Sequence, residues 1–162
     1  MIGLNLCPFA ENPYRGNRVR FHISEQRSAA GLLEELQLEL TQLALAHPKD
    51  CETTLLIHPW VLADFIEYND FLEVCDEAVL ELDLEGVLQV ASFHPHYQFA
   101  GSSPEDIENY TNRSPYPMLH LLREASVERA VEAVGDTEEI YRRNLRTLRA
   151  LGHAGWARLW TE

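Results

Sequence analysis

A chain of 162 residues, 46% of them apolar, is long enough to bury a core without staples, and no linker, repeat or low-complexity stretch divides it. Its net charge of −13 repels phosphate backbones and anionic membranes, so no nucleic-acid partner and no membrane partner is expected. Cys7, Cys51 and Cys75 are widely spaced without a C-x-x-C, which argues against a disulfide framework or a zinc ribbon. Met1–Leu6 lacks a signal-peptide pattern and no apolar run reaches bilayer length, so the expectation is one reduced, cytoplasmic α/β domain over residues 1–162.

The chain opens on a short apolar stub ending at Cys7-Pro8-Phe9, and Asn12-Pro13 and Arg15-Gly16-Asn17 read as loop. Val19, Phe21 and Ile23 alternate with Arg18, Arg20 and His22, the period of a strand with one buried face. Ser28 caps a helix whose buried stripe is Leu32, Leu33, Leu36, Leu40 and Leu43 and which His47-Pro48 ends. Thr53–Ile57 is a compact strand stopped by His58-Pro59. Pro59 suits a first helical turn, and Leu62, Phe65, Ile66, Leu72, Cys75, Val79 and Leu82 then form one apolar face, with Asn69-Asp70 as a possible break. After Glu85-Gly86, Val87–Phe93 is the third strand.

Helical signals follow. Ser103-Pro104-Glu105-Asp106 resembles a capped short helix, and Ser114-Pro115 opens a longer one through Val134 that Gly135 stops. Asp136 and Glu139 make a capping box for a last helix to about Leu151, with Trp156 and Trp160 in a tail that packs back. Arginines and acids share the faces of this last helix, the pattern of a solvated, ion-paired surface. The order predicts a small, mostly parallel sheet of about three strands covered by helices, with a helical C-terminal third.

In such sheets ligands bind beyond the carboxyl ends of the strands, where His58 and His94-Pro95-His96 should lie. From Gly86 to Pro104 the chain has no charged residue yet is rich in histidine, hydroxyl and amide groups, the profile of a pocket lining. His94 and His96, two apart, share a face of an extended chain; with His58 they are the minimum set for a divalent metal such as zinc. The plainer role is strand-end histidines bonded to carbonyls. Cys7 is a nucleophile candidate if His58 or His94 reaches it, and otherwise a small buried hydrophobe. Arg113, before the Ser114-Pro115 helix start, offers a forked donor for a carboxylate or phosphate, with Ser114, Asn112, Tyr110 and Tyr97 around it. Its competing role is a pair with Glu105, Asp106 or Glu108. His120 falls on the same helix as Arg113.

The segments IGLNLCPFA, TTLLIHPWVLADFIEYNDFL, LQVASFHPHYQFA, NYTNRSPYP and MLHLLREASVERA together resemble a bacterial family known as domain of unknown function 1415. The resemblance covers nearly the whole chain and implies a compact cytoplasmic domain, with no activity attached. It also implies a helical stretch before IGLNLCPFA, which would leave Ile2 and Leu4 under-packed here, and an acidic residue at the place of His96 in many relatives. The leading expectation is an enzyme acting on a small anionic molecule, with Arg113 holding the anion and His94, His58 or Cys7 as the catalytic groups. The alternatives are a non-catalytic ligand- or metal-binding module and a protein-interaction domain using its helical tail. Reaction, substrate and oligomeric state are left open by the residues.

Overall fold

The computed structural model describes residues 2–7, 10–134 and 137–159. Its elements in chain order are α1 (Glu11–Arg15), β1 (Val19–Ile23), α2 (Ala29–Leu45), β2 (Thr53–Ile57), α3 (Phe65–Glu81) and β3 (Leu88–Phe93). A 3-10 turn (Ile107–Thr111), β4 (Met118–Arg123), α4 (Glu124–Val134) and α5 (Thr137–Arg158) complete the described chain. The class is α/β with a helical C-terminal part.

The sheet corrects the expected one. It has four strands in the order β1-β2-β4-β3, with β1 parallel to β2 and β4 antiparallel to both of its neighbours. The extra strand is Met118–Arg123, where the residue pattern predicts part of a helix opening at Ser114-Pro115. A short apolar run such as MLHLL fits a helix or a buried central strand equally well by periodicity. Position decides it, because β4 has a hydrogen-bonding neighbour on each side. His120 is therefore a strand residue, and Arg113 precedes no helix.

One sheet face is covered by α2 and α3. Ser28 caps α2 by accepting the Gly31 N–H, and Asp64 caps α3 by accepting from Ile66 and Glu67. So α3 starts at Phe65 rather than at Pro59, and it runs unbroken through Asn69-Asp70. Leu32, Leu36, Leu40 and Leu43 of α2 meet Leu56, Leu119 and Leu121 of the sheet and Tyr68, Phe71 and Cys75 of α3. Each fully buried leucine contributes about 1.5–3 kcal/mol, and this cluster carries most of the fold. Ile66, expected inside, is exposed. Arg123 ties the layers together: its guanidinium donates to Leu43 O (2.7 Å), Ala46 O (2.7 Å) and Cys51 O (3.1 Å), closing the carboxyl end of α2.

A second, smaller cluster joins Leu6, Tyr110 and Leu148, with Leu4, Ile107 and Trp156 packed on it. Leu4 is thus in contact rather than stranded, and Trp156 does pack back on the body. The backbone turns out of helical geometry at Gly152 (φ 63°), so α5 bends there and continues to Arg158. The short helix expected at Ser103 is instead the 3-10 turn from Ile107, and the loop expected at Asn12-Pro13 is α1. Pro8, Phe9, Gly135, Asp136 and Trp160 lie outside the described residues, and with Pro8 and Phe9 the expectation that the Cys7-Pro8-Phe9 loop closes over the site at the strand ends.

The alternation of β1 is real but inverted. Phe21 and Ile23 are 55% and 65% exposed, whereas Arg20 and His22 face α2. The reason lies on the helix: the flank of α2 over β1 presents Glu35, Glu39 and Gln42, which attract the basic side chains of the strand.

Candidate functional site

β2 and β3 both run antiparallel to β4, so their carboxyl ends lie at one rim of the sheet even though β4 separates them. His58 continues β2 by donating its N–H to Pro117 O (3.0 Å), and His94 continues β3 by donating to Asn112 O (3.2 Å). Both imidazoles are fully buried and flank Tyr68, at ring distances of 5.8 Å for His58 and 5.0 Å for His94. The Tyr68 hydroxyl donates to Met118 O (2.9 Å) and accepts from Phe93 N–H (3.0 Å), bonding to both strands at their ends.

The hydrogen bonds fix the tautomers. His58 donates from Nδ1 to Val61 O (3.0 Å), and its Nε2 is buried with no partner. His94 donates from Nε2 to Leu62 O (3.2 Å) and accepts the His96 N–H at Nδ1 (3.0 Å). Burial pushes both pKa values below the ordinary histidine range, with each neighbouring imidazole adding to the effect. The two neutral rings hold the carbonyls of the 61–62 turn, where Leu62 sits in the left-handed region at φ 57°. That conformation costs a leucine about 1–2 kcal/mol, so the pair of histidines stabilises a turn that would otherwise relax.

This geometry does not assemble the expected metal ligands. Among the described residues no group of three His, Cys, Asp or Glu side chains is placed to hold a metal ion. His94 has both ring nitrogens engaged, and His96 is exposed, with its ring 5.9 Å from that of His94. Cys7 is half-buried and makes no hydrogen bond to His58 or His94. Burial raises the Cys75 thiol to about 12, which makes it inert.

The expected anion-binding residues do gather around Arg113, with their polar groups engaged by the fold. Arg113 donates from Nε to Tyr97 O (3.3 Å) and from a terminal nitrogen to Pro104 O (2.6 Å), and its guanidinium lies 4.1 Å over the Tyr110 ring. It therefore pins the loop between β3 and β4 through carbonyls, rather than through Glu105, Asp106 or Glu108. Ser114 donates to Tyr116 O, Asn112 donates to Ser92 O, and Tyr97 packs edge-on against Phe65 and Phe99. A helix N-terminus, half of the argument for an anion, is not there. One surface cleft of about 340 Å³ opens nearby, lined by Phe99, Gly101, Ser102, Asp106, Glu108 and Tyr141. Its two carboxylates suit no anion, and none of the expected site residues lines it.

The polar cluster that residue patterns alone did not single out lies under β1. Arg20 reaches Glu39 (3.3 Å) and Gln42. His22 lies between Glu35 (Nε2, 2.8 Å) and Glu39 (Nδ1, 3.3 Å). Glu39 is only 2% exposed, and the second Glu35 oxygen, Oε2, is buried without a hydrogen-bond partner. A readable signal existed: acids four apart on the predicted helix match bases two apart on the predicted strand.

The family model DUF1415, described as protein of unknown function, matches residues 1–158. No curated protein and no solved structure matches the chain.

Proposed function

The chain belongs to the DUF1415 family, and we propose that it serves as a protein-interaction domain that receives an extended strand at the free edge of β1. The observation that carries this reading is the edge itself. Arg18 O accepts from β2 and Ser24 N donates to Ile57 O, so the even-numbered residues of β1 bond inward along the parallel ladder. The N–H and C=O groups of Val19, Phe21 and Ile23 then point away from the sheet. Phe21 and Ile23 expose apolar side chains beside them. Arg20 and His22 turn their basic groups inward on this short edge strand, while the row beside the free N–H and C=O groups carries neither charge nor proline, and an exposed apolar edge is the surface that strand addition uses.

An enzyme centred on His94 and Arg113 is the weaker reading, because the ring nitrogens of His94 and two guanidinium nitrogens of Arg113 are held by the fold itself. The test is photo-crosslinking in cells, with a benzoylphenylalanine placed at Phe21 and, as control, at Leu38 on the solvent side of α2. An adduct of defined composition at Phe21, absent at Leu38, is expected. Equal labelling at both positions, or none at Phe21, overturns the interaction domain.

A further inference from the structure

We infer that one buried water molecule is held between the His58 imidazole and the Glu35 carboxylate, donating a hydrogen to each. The site is independent of whatever the β1 edge receives. Among the described residues, four buried side-chain polar atoms lack a hydrogen-bond partner: Glu35 Oε2, His58 Nε2, Arg123 Nε and Asn144 Oδ1. Arg123 closes the far end of α2, and Asn144 bonds to Leu6 O in the second cluster. The other two belong to one place.

The strand register brings them there. His22 pairs with Leu56, and His58 lies two residues further along the line of β2. Leu56 and His58 are both fully buried on the face that α2 and α3 cover, where His58 stacks on Tyr68. His22 and His58 therefore share that face, about 5 Å apart across the sheet and about 7 Å along it. Glu35 comes down on this patch from α2, with Oε1 2.8 Å from His22 Nε2. Its charge is close enough to act on His58; His94, which also acts on that ring, has both nitrogens engaged.

Counting donors and acceptors selects the ligand. With Nδ1–H given to Val61 O, His58 Nε2 presents a lone pair, and Glu35 Oε2 is a carboxylate oxygen. Two acceptors cannot bond to each other and need hydrogens from a third group. A proton on His58 would match both, but it puts a charge on a ring with no exposed surface, which burial opposes. Water brings two hydrogens and no charge, and bridging atoms of this kind is what buried waters do. The water completes a hydrogen-bonded run from His22 beneath β1, through Glu35 and His58, to the Val61 carbonyl at the rim turn.

The first measurement needs no substitution. Nitrogen-15 NMR of the histidine side chains in the whole protein at neutral pH reads each ring nitrogen separately. For His58 the expected pattern is a protonated Nδ1 and an unprotonated Nε2 shifted by accepting a hydrogen bond. The two carbon-bound ring protons beside Nε2 should also show cross-relaxation to a long-lived water. Oxygen-17 relaxation dispersion of the solvent counts such waters, and one should be lost in His58→Phe, which keeps a ring and removes the acceptor. Unfolding of His58→Phe, Glu35→Met and the double variant should be non-additive by at least about threefold in the equilibrium constant, since the two side chains share one ligand.

A doubly protonated His58 would mean a direct ion pair with Glu35, and an Nε2 free of any hydrogen bond would mean no ligand; each overturns the inference. An unchanged count of long-lived waters in His58→Phe, or additive losses in the double variant, overturns it too. If His58→Phe does not fold, the nitrogen-15 pattern and the ring-to-water contact of the unsubstituted protein decide alone.

Discussion

The rim histidines and His22 show how one side chain takes opposite roles in two parts of this molecule. His94 is fully buried and meets a carbonyl and an amide, so it is neutral and its pKa is driven down. His22 is partly open to water and lies between two carboxylates under an edge strand. In the first, both ring nitrogens of His94 are engaged, and the ring locks a turn. The second carries an excess of carboxylate oxygen, with Glu35 Oε2 unmatched. A matched polar group in the core adds to stability, whereas one left unmatched costs it.

The contrast breaks most easily in the core. Tyr68→Phe keeps the ring between the two histidines and removes the hydroxyl, leaving Met118 O and Phe93 N–H without their partner. A loss of about 3 kcal/mol is expected from urea unfolding, and a loss under about 1 kcal/mol would show that the clamp is dispensable.

Acid should open the core nearly as far. Burial lowers His120 from 6.5 to about 4, while its Nε2 donates to the Thr53 hydroxyl at 2.7 Å. Below pH 6.5 the unfolded chain takes up this proton and the folded chain does not, so stability present above that pH falls as the pH drops towards 4. Up to about 3 kcal/mol is lost over this window, and His58 and His94, both depressed, act in the same direction. Urea midpoints measured between neutral pH and pH 4.5 check this. His120→Phe should flatten the dependence, and an unchanged slope would show that this imidazole is not the group responsible.

Arg113→Lys tests the loop. Lysine keeps the charge but cannot span Tyr97 O and Pro104 O while covering the Tyr110 ring, so about 1–2 kcal/mol of stability should go. Unchanged stability, together with lost binding of a carboxylate or phosphate ligand, would return the arginine to an anion site. The smallest effect belongs to the edge. Phe21→Lys should change the unfolding free energy of the monomer by less than about 0.5 kcal/mol, measured in dilute protein, since its side chain contributes to no core. A large loss there would mean that Phe21 is part of the fold and not of a surface.

Local signals were enough for much of this protein. Ser28 and the leucine stripe after it define α2, the β-rich runs at Val19, Thr53 and Val87 define three strands, and the His-Pro corners mark where strands end. Capping, periodicity and proline geometry act within a few residues, so they can be read one segment at a time. Met118–Arg123 could not be read so, because a strand in the middle of a sheet is defined by neighbours far away in the chain. Nor could the facing of β1, since strict alternation gives two faces and only the acids of α2 decide which one turns inward. The same holds for Arg113 and His94. Composition announces groups able to bind or to move protons, but whether they are free for a ligand depends on which carbonyls tertiary packing brings beside them.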